Sequence, residues 1–125
     1  MAALVLSKIC QVYNVNSSLY VSRQTLIADT FLTRLIGLLL TKEFKPGSGL
    51  IIEPCKSIHM FFMRYPIDVI FYNQNLEIIA VVENIQPWQF TKVYPKAMAC
   101  LELPINSIRQ SNSAVNDQLK IESLN

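Results

Sequence analysis

The chain has 125 residues, 51% of them hydrophobic and 16% charged, with 11 basic against 9 acidic side chains and a net charge of +2. That is the length of one domain, 1–125, able to bury a core without help from a metal or a disulfide and too apolar for disorder. The slight positive charge is scattered along the chain, so no nucleic-acid partner is expected.

The opening, MAALVLSKICQVYNV, is apolar, but it has no basic stretch before it and no small-residue cleavage site after it. No apolar run approaches the ~20 residues of a membrane span. A cytoplasmic protein without a membrane span is the expectation. Residues 4–15 are rich in β-branched and apolar types and predict a strand. Asn14, Asn16, Ser17 and Ser18 supply a turn, and 19–21 a short return strand.

Residues 29–41, DTFLTRLIGLLLT, change period. Apolar side chains at 28, 31, 32, 35, 38 and 39 predict one buried face of a helix, with Asp29 or Thr25 as its N-cap. KPGSG, 45–49, is a loop. Four apolar segments follow, at 50–52, 58–63, 67–72 and 77–82, the last two joined by Asn73-Gln74-Asn75. Pro87-Trp88 begins a loop. Residues 97–103 predict a strand ended by Pro104, 105–113 a helical turn, and 118–121 the last strand. The expected fold is α+β: a small, mostly antiparallel β-barrel-like or sandwich domain with one main helix at about 29–41. Closure toward a barrel would remove exposed edges.

Chemistry-bearing residues concentrate in CKSIHMFFMRYPIDVIF, 55–71. Cys55 and His59, the only histidine, stand four apart and would share a face if the segment were a strand. They could serve a Cys–His nucleophile pair, or a metal with Asp68 or Glu102 as third ligand. The bland alternative is a structural histidine beside a buried thiol, and no metal or other cofactor is expected. Cys10, Cys55 and Cys100 are odd in number and lack a C-x-x-C, which fits reduced, buried thiols.

Asp68 is flanked by apolar residues, so its carboxylate needs a partner, Arg64 or Arg34. That partner makes either a structural ion pair or a polar cluster that receives a ligand. Glu102 in CLELP repeats the theme, and Trp88 is either a stacking platform or a core cap. No phosphate-cradling or nucleophile-elbow motif occurs.

From about residue 28 to 121 the ordered pieces Arg34-Leu35-Ile36-Gly37-Leu38, Gly49-Leu50-Ile51-Ile52, Ile58-His59, Met63-Arg64-Tyr65-Pro66-Ile67-Asp68 with Phe71, Pro87-Trp88, Leu101-Glu102-Leu103-Pro104 and Asp117 resemble the bacterial and archaeal family "domain of unknown function 192". The resemblance implies a small β-rich α+β domain and no established activity. It places His59, Met63, Arg64, Asp68 and Glu102 at motif positions. The chain departs from the pattern at Met60, where a threonine is usual, and at Ile105-Asn106 and Asn116, where glycines are expected. Asparagine tolerates the positive φ that such glycines supply.

The function expected is a non-enzymatic binding module for a small anionic or hydroxyl-rich, sugar-like ligand. Its candidate binding residues are His59, Arg64, Asp68, Trp88 and Glu102. The alternatives are a hydrolase-type enzyme using Cys55, His59 and a carboxylate, and a protein-interaction domain in which Arg64 and Asp68 only brace the fold.

Overall fold

The computed structural model describes residues 9–28, 44–61 and 63–124. Among these, the strands are β1 (Ile9–Asn14), β2 (Leu19–Ala28), β3 (Ser48–Ile52), β4 (Ile67–Tyr72), β5 (Ile78–Ile85), β6 (Ala99–Leu103) and β7 (Leu119–Ser123), with a short helix α1 (Ser107–Gln110) before β7. They form one seven-stranded sheet in the order β5-β4-β6-β3-β2-β1-β7. Only β2 and β3 run parallel among its neighbouring strands. The expected α+β barrel-like domain is found, as a curled half-barrel. The predicted helix at 29–41 lies outside the described residues.

The two outermost strands meet at one end. Glu77 bridges Gln118. The Ile78 N–H donates to Asp117 O at 2.9 Å, and the Leu119 N–H to Leu76 O at 2.8 Å. Edge groups that would otherwise stay unpaired are thereby satisfied. Beside this seam the Asn14 side-chain amide donates to Ser113 Oγ at 3.1 Å and to Asp117 Oδ2 at 3.0 Å. The turn predicted at 14–18 is thus also a tertiary anchor.

Every residue of β4 and β6 is buried, which explains why these strands read as unbroken apolar runs. On the inner face Val12, Ile51, Ile70, Tyr72, Leu101 and Leu103 pack with Ile108 of α1. On the outer face Leu50, Ile52, Val69, Phe71 and Cys100 lie under Cys55, Ile58, Met60, Met63 and Ala97. Each large apolar side chain so buried contributes about 1.5–3 kcal/mol.

Two expectations are corrected. The described residues of 58–63 form a cover rather than a strand, and among them only His59 is bridged, to Phe90. Its backbone bonds the 86–94 loop: the Met60 N–H donates to Gln89 O at 2.7 Å and the Trp88 N–H to Met60 O at 2.8 Å. A covering loop and a core strand bury the same residue types, so composition does not separate them. The return strand runs on to Ala28, and Thr25 is no helix cap. Its hydroxyl lies 2.6 Å from Ser22 Oγ, buried within β2.

Asn106 and Asn116, at the expected glycine positions, have φ of 76° and 78°. In the 73–77 turn the left-handed residue is Leu76, at 60°. Asn73 acts instead through its side chain, which accepts the N–H groups of Asn75 and Glu77.

Candidate functional site

Asp68 and Glu102 lie on opposite faces of the sheet. Asp68 pairs with Leu103 and Glu102 with Val69 in the β4–β6 ladder, and side chains alternate along each strand. The two carboxyls are therefore not an acid–base pair.

Asp68 is buried at 1% exposure. It sits at a bulge where Glu83 and Asn84 of β5 stand between the paired positions Ile67–Ile85 and Val69–Val82. Its Oδ1 accepts the Asn84 N–H at 2.9 Å, and its Oδ2 accepts the Ile108 N–H at 3.1 Å. It thus caps α1 from a distant strand, where the N-cap residue Asn106 makes no side-chain bond of its own. Arg64 is exposed and does not pair with it; the ion pair found among the described residues is Lys120–Glu122. Among the described residues the partner that burial demands is backbone; Arg34, the other candidate, lies outside them.

Glu102 is also 1% exposed, between Leu50 of β3 and Val69 of β4. Its Oε2 has no hydrogen-bond partner among the described residues. Burial, and secondarily the nearby Cys55, pushes its pKa up to about 8. It is a protonated, structural acid at neutral pH. The Cys55 thiol, buried on the same face, donates to Ser57 O at 3.2 Å.

His59 points the other way and is exposed. Its ring tilts against Phe61 at 4.6 Å between centroids, and Phe61 lies 5.9 Å from Trp88. Phe61 is 47% exposed, Trp88 59% and Phe90 73%. Among the described residues no three His, Cys, Asp or Glu side chains converge as metal ligands.

The row is built by one turn. Pro87 and Trp88 are its central residues, the Gln89 N–H donates to Gln86 O at 3.1 Å, and Trp88 has φ of 70°. This fits a type II turn, which places glycine or asparagine where the tryptophan stands. A bulky residue there costs about 1–2 kcal/mol. Side chains brace the turn: Gln89 Oε1 accepts the Gln86 N–H at 2.8 Å, and Gln86 Nε2 donates to Asn84 Oδ1 at 3.0 Å. Beside it opens a depression of about 480 Å³ lined by Glu83, Asn84, Trp88, Gln89, Phe90 and Tyr94, among others.

Of the five candidate residues, then, His59 and Trp88 meet at one surface through Phe61, Arg64 is exposed, and Asp68 and Glu102 are internal. Phe61 and Phe90 were not singled out from the sequence. Pro-Trp in a turn with no glycine was the available signal.

The fold and this surface define a small β-rich, barrel-like α+β domain bearing an exposed aromatic row. The chain belongs to the family DUF192, described as "Uncharacterized ACR", whose model matches residues 13–121. It is 35% identical to a UPF0127 protein of Thermococcus sibiricus over 100 residues, 77% of this chain. That alignment spans 64% of the Thermococcus protein, just under two thirds of its length. A UPF0127 protein of Pyrococcus furiosus is 32% identical, with 86% of this chain and 94% of the relative aligned.

Two solved structures share the fold, each with a TM-score of 0.75 over 90% of this chain. One, from Novosphingobium aromaticivorans and of unknown function, is 19% identical with 83% of it covered. The other, from Sinorhizobium meliloti, carries a proposed role in transcription regulation and is 17% identical with 92% covered.

Proposed function

We propose that the domain is a non-enzymatic binding module whose recognition surface is the His59–Phe61–Trp88 row, and that it takes a hydroxyl-rich, sugar-like ligand. The observation that carries this is Trp88. A large ring is held 59% exposed on a backbone conformation that disfavours it. The ring lies 5.9 Å from Phe61 on an exposed surface, and backbone strain of this kind clusters at ligand-binding sites. Exposed rings accept the C–H faces of a sugar. Glu83, Asn84 and Gln89, lining the adjoining depression, suit its hydroxyls. The surface is open and buries little of a ligand, so affinity is expected at about 0.1–1 mM.

Trp88 is the chain's one tryptophan, so its emission reports this surface alone. Titration with cellohexaose, chitohexaose and an oligogalacturonate should give a saturable blue shift for one of them. Trp88→Gly should abolish binding, read by calorimetry, while the melting temperature holds or rises as the turn strain is relieved. No change with any of the three up to about 10 mM, or intact binding by Trp88→Gly, would sink the proposal.

A further inference from the structure

The outer face at the other end of the sheet, over β2, β1 and β7, carries a second constellation. Tyr20 pairs with Tyr13 across β2 and β1, and Tyr13 with Lys120 across β1 and β7. The ladder thus sets Tyr20, Tyr13 and Lys120 in one row across three strands, a span of about 10 Å. The tyrosine rings meet edge to face at 5.0 Å and 67°. Arg23 lays its guanidinium 4.0 Å from the Tyr20 centroid. Lys120 reaches Glu122 at 3.9 Å, with both side chains well exposed. These residues, with Ser18 and Leu19, line an open depression of about 510 Å³.

We propose that this face binds single-stranded nucleic acid, with bases against the Tyr13 and Tyr20 rings and phosphates on Arg23 and Lys120. Rings accept any base, and a guanidinium stacked on a tyrosine offers a flat cationic plane that suits both base and phosphate. The depression is open rather than enclosed, which fits an extended strand better than a sequestered small molecule. Among the described residues this face is sheet, and the short helix α1 packs on the inner face, so no described element projects from it to enter a groove and duplex is disfavoured. Two cations face one carboxylate, Glu122, which already holds Lys120. In the sequence Arg23 and Lys120 lie near opposite ends and show no cluster; only the β2–β1–β7 ladder joins them.

Fluorescence anisotropy of a labelled 15-nucleotide oligo(dT) tests this on the full chain. Binding should be saturable in the tens of micromolar at 50 mM salt. Two phosphate contacts predict a log–log salt slope of about −1.4. Arg23→Ala with Lys120→Ala should weaken binding at least tenfold. Both side chains are exposed, so the variant keeps its fold, as circular dichroism will verify. Glu122→Gln, which frees Lys120, should tighten it, and Trp88→Gly should leave it unchanged. No saturation by about 200 µM overturns the proposal. So does equal affinity of the double variant, of a 15-base-pair duplex, or of thymidine monophosphate alone.

Discussion

Glu102→Gln isolates the energetic consequence of the buried acid. Desolvation, with Cys55 close by, raises the Glu102 pKa from an ordinary 4.5 to about 8. Between those values the folded state holds a proton that the unfolded state has released. Stability therefore falls as pH rises from about 4.5 to about 8 and is level on either side of that window. At pH 7, about 2.5 pH units into it, this single group costs about 3 kcal/mol, at about 1.4 kcal/mol per unit. Glutamine does not ionise, so the cost disappears. Its amide leaves a polar atom unpaired much as the acid does at Oε2, so the remaining terms largely cancel. Thermal melts and urea titrations at pH 5, 6, 7 and 8 should show the two proteins nearly coincident at pH 5. At pH 7 the variant should be more stable by about 3 kcal/mol, or roughly 10 °C. Parallel pH profiles, or a variant weaker at pH 7, would refute the assignment of a neutral buried carboxyl.

Other substitutions check other joints of the fold. Asp68→Ala should cost about 2–4 kcal/mol in urea unfolding, because the Asn84 and Ile108 N–H groups lose their shared acceptor. Arg64→Met, on the exposed side chain, should stay within about 0.5 kcal/mol of the parent; a comparable loss would reinstate an Arg64–Asp68 brace. Gly49→Ala should destabilise by about 1–3 kcal/mol, since a Cβ there would stand 2.6 Å from Ser22 Oγ and 3.2 Å from Leu101 Cδ1. A variant as stable as the parent would mean that β2 yields at that point.

Much of the fold was legible where burial on both faces left an unbroken signature, as in β4 and β6. The positive φ at Asn106 and Asn116 was legible too, because few other residue types replace glycine at such a turn. The 58–63 segment was not, since Ile58, Met60 and Met63 are buried as a cover and look like strand residues. The candidate site divided for the same reason. Sequence proximity suggested that Arg64 would answer Asp68, whereas the acceptors' partners were backbone groups from β5 and α1, sixteen and forty residues away.

By itself the amino-acid sequence determined the class of domain, the central strands, the turn asparagines and the residues too polar to be buried without compensation. Those are local or compositional properties, set by side-chain period, backbone freedom and the cost of desolvation. Only the tertiary structure decided which polar groups compensate each other and which rings share a surface. Asp68 and Glu102 point to opposite faces, His59 and Trp88 meet through Phe61, and Arg23 and Lys120 line one depression. Such neighbours arise from strand register and loop crossing, which join residues distant in the chain and leave no trace in local pattern.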